Sequence, residues 1–205
     1  MQKEILTTSQ IKLLPLISGF TREYYLARGT AVALYIGHRQ SIDFDLFTGS
    51  DLKPKSIKNK LTGSNIHYKI LHEAYDQLHI LINDVKITFF NYPFSIPHEG
   101  RFEKIITMPE LIDLAAMKAF ALGGRAKWKD YVDLYFILRD HFSIHEIGKR
   151  AIELYNDSFN LKLFRQQLAY FKDIDYSEKV TFVREKPGDK EILQLLTKAA
   201  TEPFY

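Results

Sequence analysis

The segment from Arg28 to Phe47, Arg-Gly-Thr-Ala-Val-Ala-Leu-Tyr-Ile-Gly-His-Arg-Gln-Ser-Ile-Asp-Phe-Asp-Leu-Phe, constrains the fold more than any other part of the chain. After Gly29-Thr30 it reads as a buried helix from Thr30 to Ile36, closed by Gly37, and then as a strand from Asp43 to Phe47. Side chains alternate across a strand, so Asp43 and Asp45 are expected on one face, with Ile42, Phe44 and Leu46 in the core. Two parallel carboxylates suit a hard cation. Magnesium binds through one or two carboxylates together with substrate phosphates. The helix start adds unpaired backbone N–H groups and a partial positive charge, which suit an anion. Together they have the form of a metal-dependent phosphate site. The plainer alternative is a surface strand with solvated carboxylates.

Composition narrows the chemistry. The 205 residues are 46% hydrophobic and 26% charged, enough for a packed core. No run approaches the roughly 20 apolar residues of a membrane helix, and no apolar signal core follows the first four residues, so a cytoplasmic protein away from the membrane is expected. Cysteine is absent, which excludes disulfides, thiolate metal sites and a cysteine nucleophile. A net charge of +3 does not by itself mark a nucleic-acid binder. Two basic clusters stand out: Lys53, Lys55, Lys58 and Lys60, read as a solvated helix face, and Arg125, Lys127 and Lys129, close to candidate site residues.

The order of elements divides the chain. A helix is predicted from Thr8 to about Phe20, bent at Pro15, and a short strand from Tyr24 to Ala27. After the acidic strand come a helix from Lys53 to Leu61 and strands at Ile66–Glu73, Gln77–Ile82 and Val85–Phe90, the last two joined by a hairpin turn at Asn83-Asp84. Asn91 to Arg101, with two prolines and a glycine, reads as a loop. From Thr107 onward only helices are expected: one opening on a Thr107-Met-Pro-Glu110 capping box and interrupted at Gly123-Gly124, then Trp128–Arg139, a Ser143-capped helix to Tyr155, Leu161–Phe171 and Lys190–Ala200. The expected organisation is a mixed α/β core with an N-terminal helix over residues 1–104. A helical subdomain over 105–205 closes the cleft.

Gly29-Thr30, Gly37-His-Arg-Gln-Ser-Ile-Asp-Phe-Asp45, Ala116-Met-Lys118, Arg125 and Lys129-Asp130-Tyr-Val-Asp133 together resemble the AbiEii/AbiGii toxin family, within the DNA polymerase β-like nucleotidyltransferase superfamily. The resemblance spans about residues 20 to 140. It implies an α/β (α+β) nucleotidyltransferase core with a small mixed sheet, in which Gly29 and Thr30 cradle an NTP and Asp43 and Asp45 hold Mg2+ or Mn2+. It further implies that Lys118 contacts the nucleotide and that Asp130 acts as base or substrate-activating group. Members are toxins of type IV toxin-antitoxin and abortive-infection systems with separately encoded antitoxins. Some transfer nucleotides to the acceptor end of tRNA, and others are known mainly as nucleotide binders.

The residues can also be read without the family. Lys118 lies in an apolar helical stretch where an unpaired ammonium is costly, so it should reach a carboxylate or a phosphate, unless it snorkels to solvent. Asp130 and Asp133 share a helix face. Asp130 sits at the helix start, where the dipole favours a carboxylate in any case, and Asp133 is expected to pair within the helix with Lys129 or across to Lys118 or Arg125. Arg125 suits bidentate phosphate contact. Arg39 and His38 are assigned to a polar clamp or to structural hydrogen bonding in the loop before the acidic pair, in preference to general-base work by His38, and Ser41 either to phosphate or to the loop backbone.

Two departures accompany the resemblance. Gly29-Thr30 stands where many relatives carry paired glycines. The later strand, which usually supplies a third carboxylate beside the acidic pair, offers Thr88, and Asp84 at the turn lies too far along to replace it. Either one metal suffices, or Asp130 completes the cluster, or catalysis is weakened. The leading expectation is transfer of an NMP from an NTP to an RNA hydroxyl, with tRNA as acceptor. The alternatives are a catalytically weakened nucleotide-binding module and an NMP transferase acting on a protein.

Overall fold

The computed structural model describes residues 1–203. A central five-stranded sheet runs in the order β1-β2-β5-β4-β3, with β1 Tyr25–Ala27, β2 Phe44–Thr48, β3 Lys69–Glu73, β4 Gln77–Ile82 and β5 Val85–Asn91. Only β2 and β5 are parallel; the other neighbours are antiparallel, so the sheet is mixed. The alternation is strict where it matters. Phe44, Leu46, Ile87, Phe89, Leu78 and Ile80 are fully buried on one face. Asp45, Thr88 and His79 lie in one row across the other, with Asp45 beside Thr88 and Thr88 beside His79. Phe20 and Tyr24 pack edge-on against Phe89 from beneath the apolar face.

Helices α1 Thr8–Ser18, α2 Arg28–Ile36 and α3 Pro54–Gly63 belong to the first half, and α4 Leu111–Leu122, α5 Trp128–Asp140, α6 Ile144–Tyr155, α7 Leu161–Leu168 and α8 Asp189–Ala200 to the second. Local chemistry sets their ends. Thr7 and Gln10 form a capping box on α1, which runs through Pro15 before stopping at Gly19. Gly37 ends α2 at φ 75°, a left-handed conformation that glycine adopts without strain. Asn83 and Asp84 have φ of 48° and 66°, the signs of the two-residue turn expected between β4 and β5. Ser143 and Glu146 form the second capping box, on α6. Helices α4 and α5 pack on α2, which brings the helical half against the sheet half.

Four expectations are corrected. Helix α2 starts at Arg28 rather than Thr30, so Gly29 lies in its first turn. Ile42 is 51% exposed and Asp43 precedes the strand, because the Asp43 carbonyl accepts from Thr30 Oγ1 and Gln10 Nε2 instead of joining the sheet. Thr107 caps no helix: β6 Gly100–Phe102 and β7 Ile106–Met108 form a hairpin in which Thr107 pairs with Arg101. Pro109 then separates this hairpin from α4, whose N-cap residue is Glu110. The third strand begins at Lys69, not Ile66, and is exposed along its length.

Candidate functional site

A buried charge network joins the two halves. Lys118 on α4 donates to Asp130 at 2.5 Å and forms an ion pair with Asp133 at 2.6 Å, both on α5. Asp133 is fully buried and also receives the Arg39 guanidinium through two bonds, 2.7 and 2.9 Å, and His38 Nε2 at 2.7 Å. Burial alone would raise the Asp133 carboxyl, but Arg39 and Lys118 overcome it and hold the group well below its ordinary value. Asp130 behaves the same way, with Lys118 and Arg125 prevailing over burial, and Arg125 Nε lies 3.1 Å from it. His38 is pushed down chiefly by burial, against the pull of Asp133. It is therefore neutral, donates from Nε2, and leaves Nδ1 without a hydrogen-bond partner among the described residues.

The acidic pair sits opposite. Asp45 Oδ1 lies 3.3 Å from Arg28, and Asp43 Oδ2 lies 3.7 Å from Lys86. Burial raises the Asp43 carboxyl, Lys86 opposes this, and the like charge of Asp45 adds to it. Arg28 is held at φ 57°, uncommon for a side-chain-bearing residue, with its guanidinium 5.0 Å from the Phe47 ring and 5.6 Å from Phe90. Gly29 allows a close approach: a Cβ there would lie 2.7 Å from Arg39 Nη2.

Two adjoining pockets open between the halves. The polar one is lined by Gly29, Ser41, Asp43, Asp45, Lys118 and Asp130, with Lys86, Lys127 and Lys129 among the basic residues around it. The second, of about 320 Å³, is walled by Phe47, Phe90, Tyr92, Met117 and Phe120, and shares Arg28, Lys118 and Arg125 with the first.

Most of the expected residues converge here, several in roles other than those foreseen. Thr30 is fully buried and outside the lining; its hydroxyl bonds Ser41 Oγ at 2.7 Å and the Asp43 carbonyl, so it shapes the loop. Ser41 both bonds Thr30 and lines the polar pocket. Arg39 also lines the pocket, but Asp133 holds its guanidinium. Lys129 does not pair with Asp133 within the helix; it turns to Glu178 at 3.0 Å. Thr88 stands beside Asp45 as expected and is buried. Of the Lys53–Lys60 cluster, Lys55, Lys58 and Lys60 lie on α3 and Lys53 just before it; the buried residues of the helix are Ile57 and Leu61, and Lys58 pairs with Glu73. Sequence reasoning missed Arg28, Lys86, Glu178 and the aromatic wall. Lys86 was legible as the residue two before Thr88 on the same strand face. Glu178 carries no local signal, since only a long irregular segment returns it to the cleft.

Asp43 and Asp45 fit a divalent cation on the structure's own terms: two carboxylates line one pocket, and the Asp43 carboxyl is raised chiefly by burial with the like charge of Asp45 adding to it, a cost that a bound cation relieves. Among the described residues no group of three or more His, Asp or Glu side chains forms a fuller metal shell.

Comparison with known proteins agrees with this fold. Residues 18–194 match the AbiEii family, described as the nucleotidyl transferase AbiEii toxin of a type IV toxin-antitoxin system. An uncharacterised protein of Aquifex aeolicus strain VF5 is 32% identical over 162 residues, covering 76% of this chain and 77% of that protein. Among solved structures, the nucleotidyltransferase toxin MenT4 of Mycobacterium tuberculosis superposes with a TM-score of 0.63 at 12% identity, over 93% of this chain and 81% of MenT4. JHP933 of Helicobacter pylori gives 0.56 at 14% identity, over 95% and 91%.

Proposed function

This chain belongs to the AbiEii family of nucleotidyltransferase toxins, and on that premise we propose that it moves a nucleoside monophosphate from an NTP to a hydroxyl of RNA, with tRNA as the acceptor. The observation that carries the reading is the meeting, in one cleft, of Asp43 and Asp45 from the sheet half with Lys118, Arg125 and Asp130 from the helical half. The acceptor oxygen attacks the α-phosphorus, the bond to the β-phosphate oxygen breaks, pyrophosphate leaves, and the hydroxyl proton passes to water. Such a transfer depends mainly on alignment and on neutralising charge. Asp43 and Asp45 would hold a magnesium or manganese ion, which when bound supplies positive charge against the phosphate oxygens. The first turn of α2, where Gly29 lines the polar pocket, presents backbone N–H donors to the triphosphate.

Lys118 and Arg125 bring cationic charge to the same cleft. Asp130, its carboxyl held low by both, serves better as their anchor than as a proton acceptor, since a base works best with a pKa near the working pH. The aromatic pocket adjoins this polar site, so the nucleobase is placed against Phe90 and Phe120. The basic residues around the polar pocket, Lys86, Lys127 and Lys129 among them, suit a phosphate backbone better than a neutral acceptor. Within this reading the protein acts in the cytoplasm, where an NTP and tRNA are at hand, and the family's type IV organisation implies a separately encoded antitoxin. Among the described residues, no helix is long and apolar enough to cross a membrane.

Induced expression in a bacterial host tests the proposal. Growth should arrest, and tRNA from arrested cells should gain the mass of one nucleotide at its acceptor end. The Asp43→Asn/Asp45→Asn variant should abolish both effects. Arrest with unmodified RNA and a nucleotide on a host protein would contradict the RNA acceptor.

A further inference from the structure

We propose that Lys127 and Lys129 form a phosphate subsite at the edge of the cleft, which Glu178 occupies in the ligand-free protein as an internal anion that an incoming phosphate displaces. The inference rests on the cleft being the transfer site, and adds to it a ligand class and a competitor.

The segment between α7 and α8 is an irregular strap anchored at two places. At one, the Asp175 N–H donates to the Ala126 carbonyl at 2.7 Å and the Trp128 N–H donates to the Asp175 carbonyl at 3.0 Å, beside the start of α5. At the other, Gln40 N–H donates to the Thr181 carbonyl at 2.8 Å and Val183 N–H to the His38 carbonyl at 3.0 Å, along the loop that leads to the acidic pair. The strap thus touches both walls of the cleft. Between the anchors, residues 176–180 make no backbone-to-backbone hydrogen bond among the described residues. Tyr176, Ser177 and Lys179 are exposed there, while Glu178 turns inward. One of its carboxylate oxygens meets the Lys127 ammonium and the other Lys129 at 3.0 Å.

This placement makes little sense as a surface ion pair alone. Glu178 lines the same pocket as Gly29, Asp43 and Asp45, and its charge reaches Asp43. A fixed carboxylate at the mouth of a site for anions repels the substrate and uses up the charge of two lysines. Those lysines stand at the N-terminus of α5, where Lys127 is the N-cap residue and no side chain caps the helix. A phosphate carries more charge and more acceptor oxygens than a carboxylate, and partly exposed Lys–Glu contacts are weak. The anion can therefore be exchanged while the strap's anchors hold. The incoming phosphate comes either from the β- and γ-positions of the NTP or from the backbone of the RNA acceptor.

Titration calorimetry with tripolyphosphate and, separately, with a short single-stranded RNA distinguishes these sources. Glu178→Gln and Glu178→Ala should each tighten binding of at least one ligand by on the order of threefold to tenfold. Lys127→Ala/Lys129→Ala should weaken the same ligand and abolish the gain from Glu178→Gln. A gain with tripolyphosphate assigns the subsite to the NTP, a gain with RNA alone assigns it to the acceptor, and a gain with both assigns it to either phosphate. No gain with either ligand, or a gain that persists without the lysines, overturns the proposal. These readouts need no turnover, so failure of the transferase reading would show separately, as absent nucleotide transfer by the wild-type protein.

Discussion

Asp133→Asn separates the residues that hold the two halves together from those that face substrate. Asp133 is fully buried and compensates Arg39, itself 2% exposed, and Lys118, 5% exposed. Asparagine keeps the shape but removes the charge, and its amide N–H groups must then face the Arg39 or Lys118 donors. Removing one partner of a buried ion network costs about 3–5 kcal/mol. At about 2–4 °C per kcal/mol for a chain of this size, the melting temperature should fall by about 6–20 °C. Asp43→Asn is the control. Its carboxylate is 31% exposed and its nearest cation is Lys86 at 3.7 Å, so stability should change by less than about 1 kcal/mol. The pH dependence adds a second check. The Asp133 carboxyl is lower in the folded than in the unfolded protein, so its contribution is fully present above the unfolded value and is lost as pH falls through the folded one. The gap between wild type and Asp133→Asn should therefore stay level from neutrality to about pH 4 and close only below it. Urea unfolding across this range measures both. A gap under about 1 kcal/mol at neutral pH, or one that closes above about pH 5, would refute the reasoning.

Phe90→Ala should weaken NTP binding by roughly five- to a hundredfold, as expected for a lost base-stacking surface, while leaving tripolyphosphate affinity unchanged in calorimetry; an equal loss for both ligands would remove the nucleobase from the aromatic pocket. Thr88→Asp places a carboxylate at a buried position beside Asp45, so the variant should be less stable than wild type without divalent metal and gain more in melting temperature when Mg2+ is added; equal gains would mean that the row through Asp45 and Thr88 does not face the cation. Because the Asp43 carboxyl is raised, its charged form is what folding disfavours, and protonation on acidification removes a cation ligand. Mg2+ affinity should accordingly decline at a higher pH than ordinary carboxylates would dictate, and Asp43→Asn, which lacks this ligand at every pH, should abolish that step; a profile unchanged by the substitution would assign the titration elsewhere.

The legible parts of the chain were those whose cause is local. The alternation through Phe44-Asp-Leu46 and Val85-Lys-Ile-Thr-Phe89 placed the sheet and set Thr88 beside Asp45, because a strand's period fixes which side chains share a face. That Lys118 would meet a carboxylate or a phosphate, with Asp133 a candidate, followed from an ammonium set in an apolar helix, whereas its contact with Asp130 was not foreseen. What escaped was non-local. Ile42 read as core by alternation, but Thr30 and Gln10 take the Asp43 carbonyl out of the sheet, and the alternation stops there. Thr107 had the spacing of a helix cap, yet Ile106-Thr-Met108 also fits a strand, and pairing with Gly100–Phe102 decided between them. Lys129 had Asp133 one turn away and still turned to Glu178, across a contact that no sequence window contains.

Incubation of the purified protein with each α-labelled NTP, bacterial tRNA and Mg2+ or Mn2+, beside the Asp43→Asn/Asp45→Asn variant, tests the central claim most directly. The account predicts that label from at least one nucleotide appears on tRNA with the wild-type protein and not with the variant. Label on tRNA with both proteins would remove the acidic pair from the chemistry, and nucleotide binding without label on RNA would contradict the transfer to RNA proposed for this cleft.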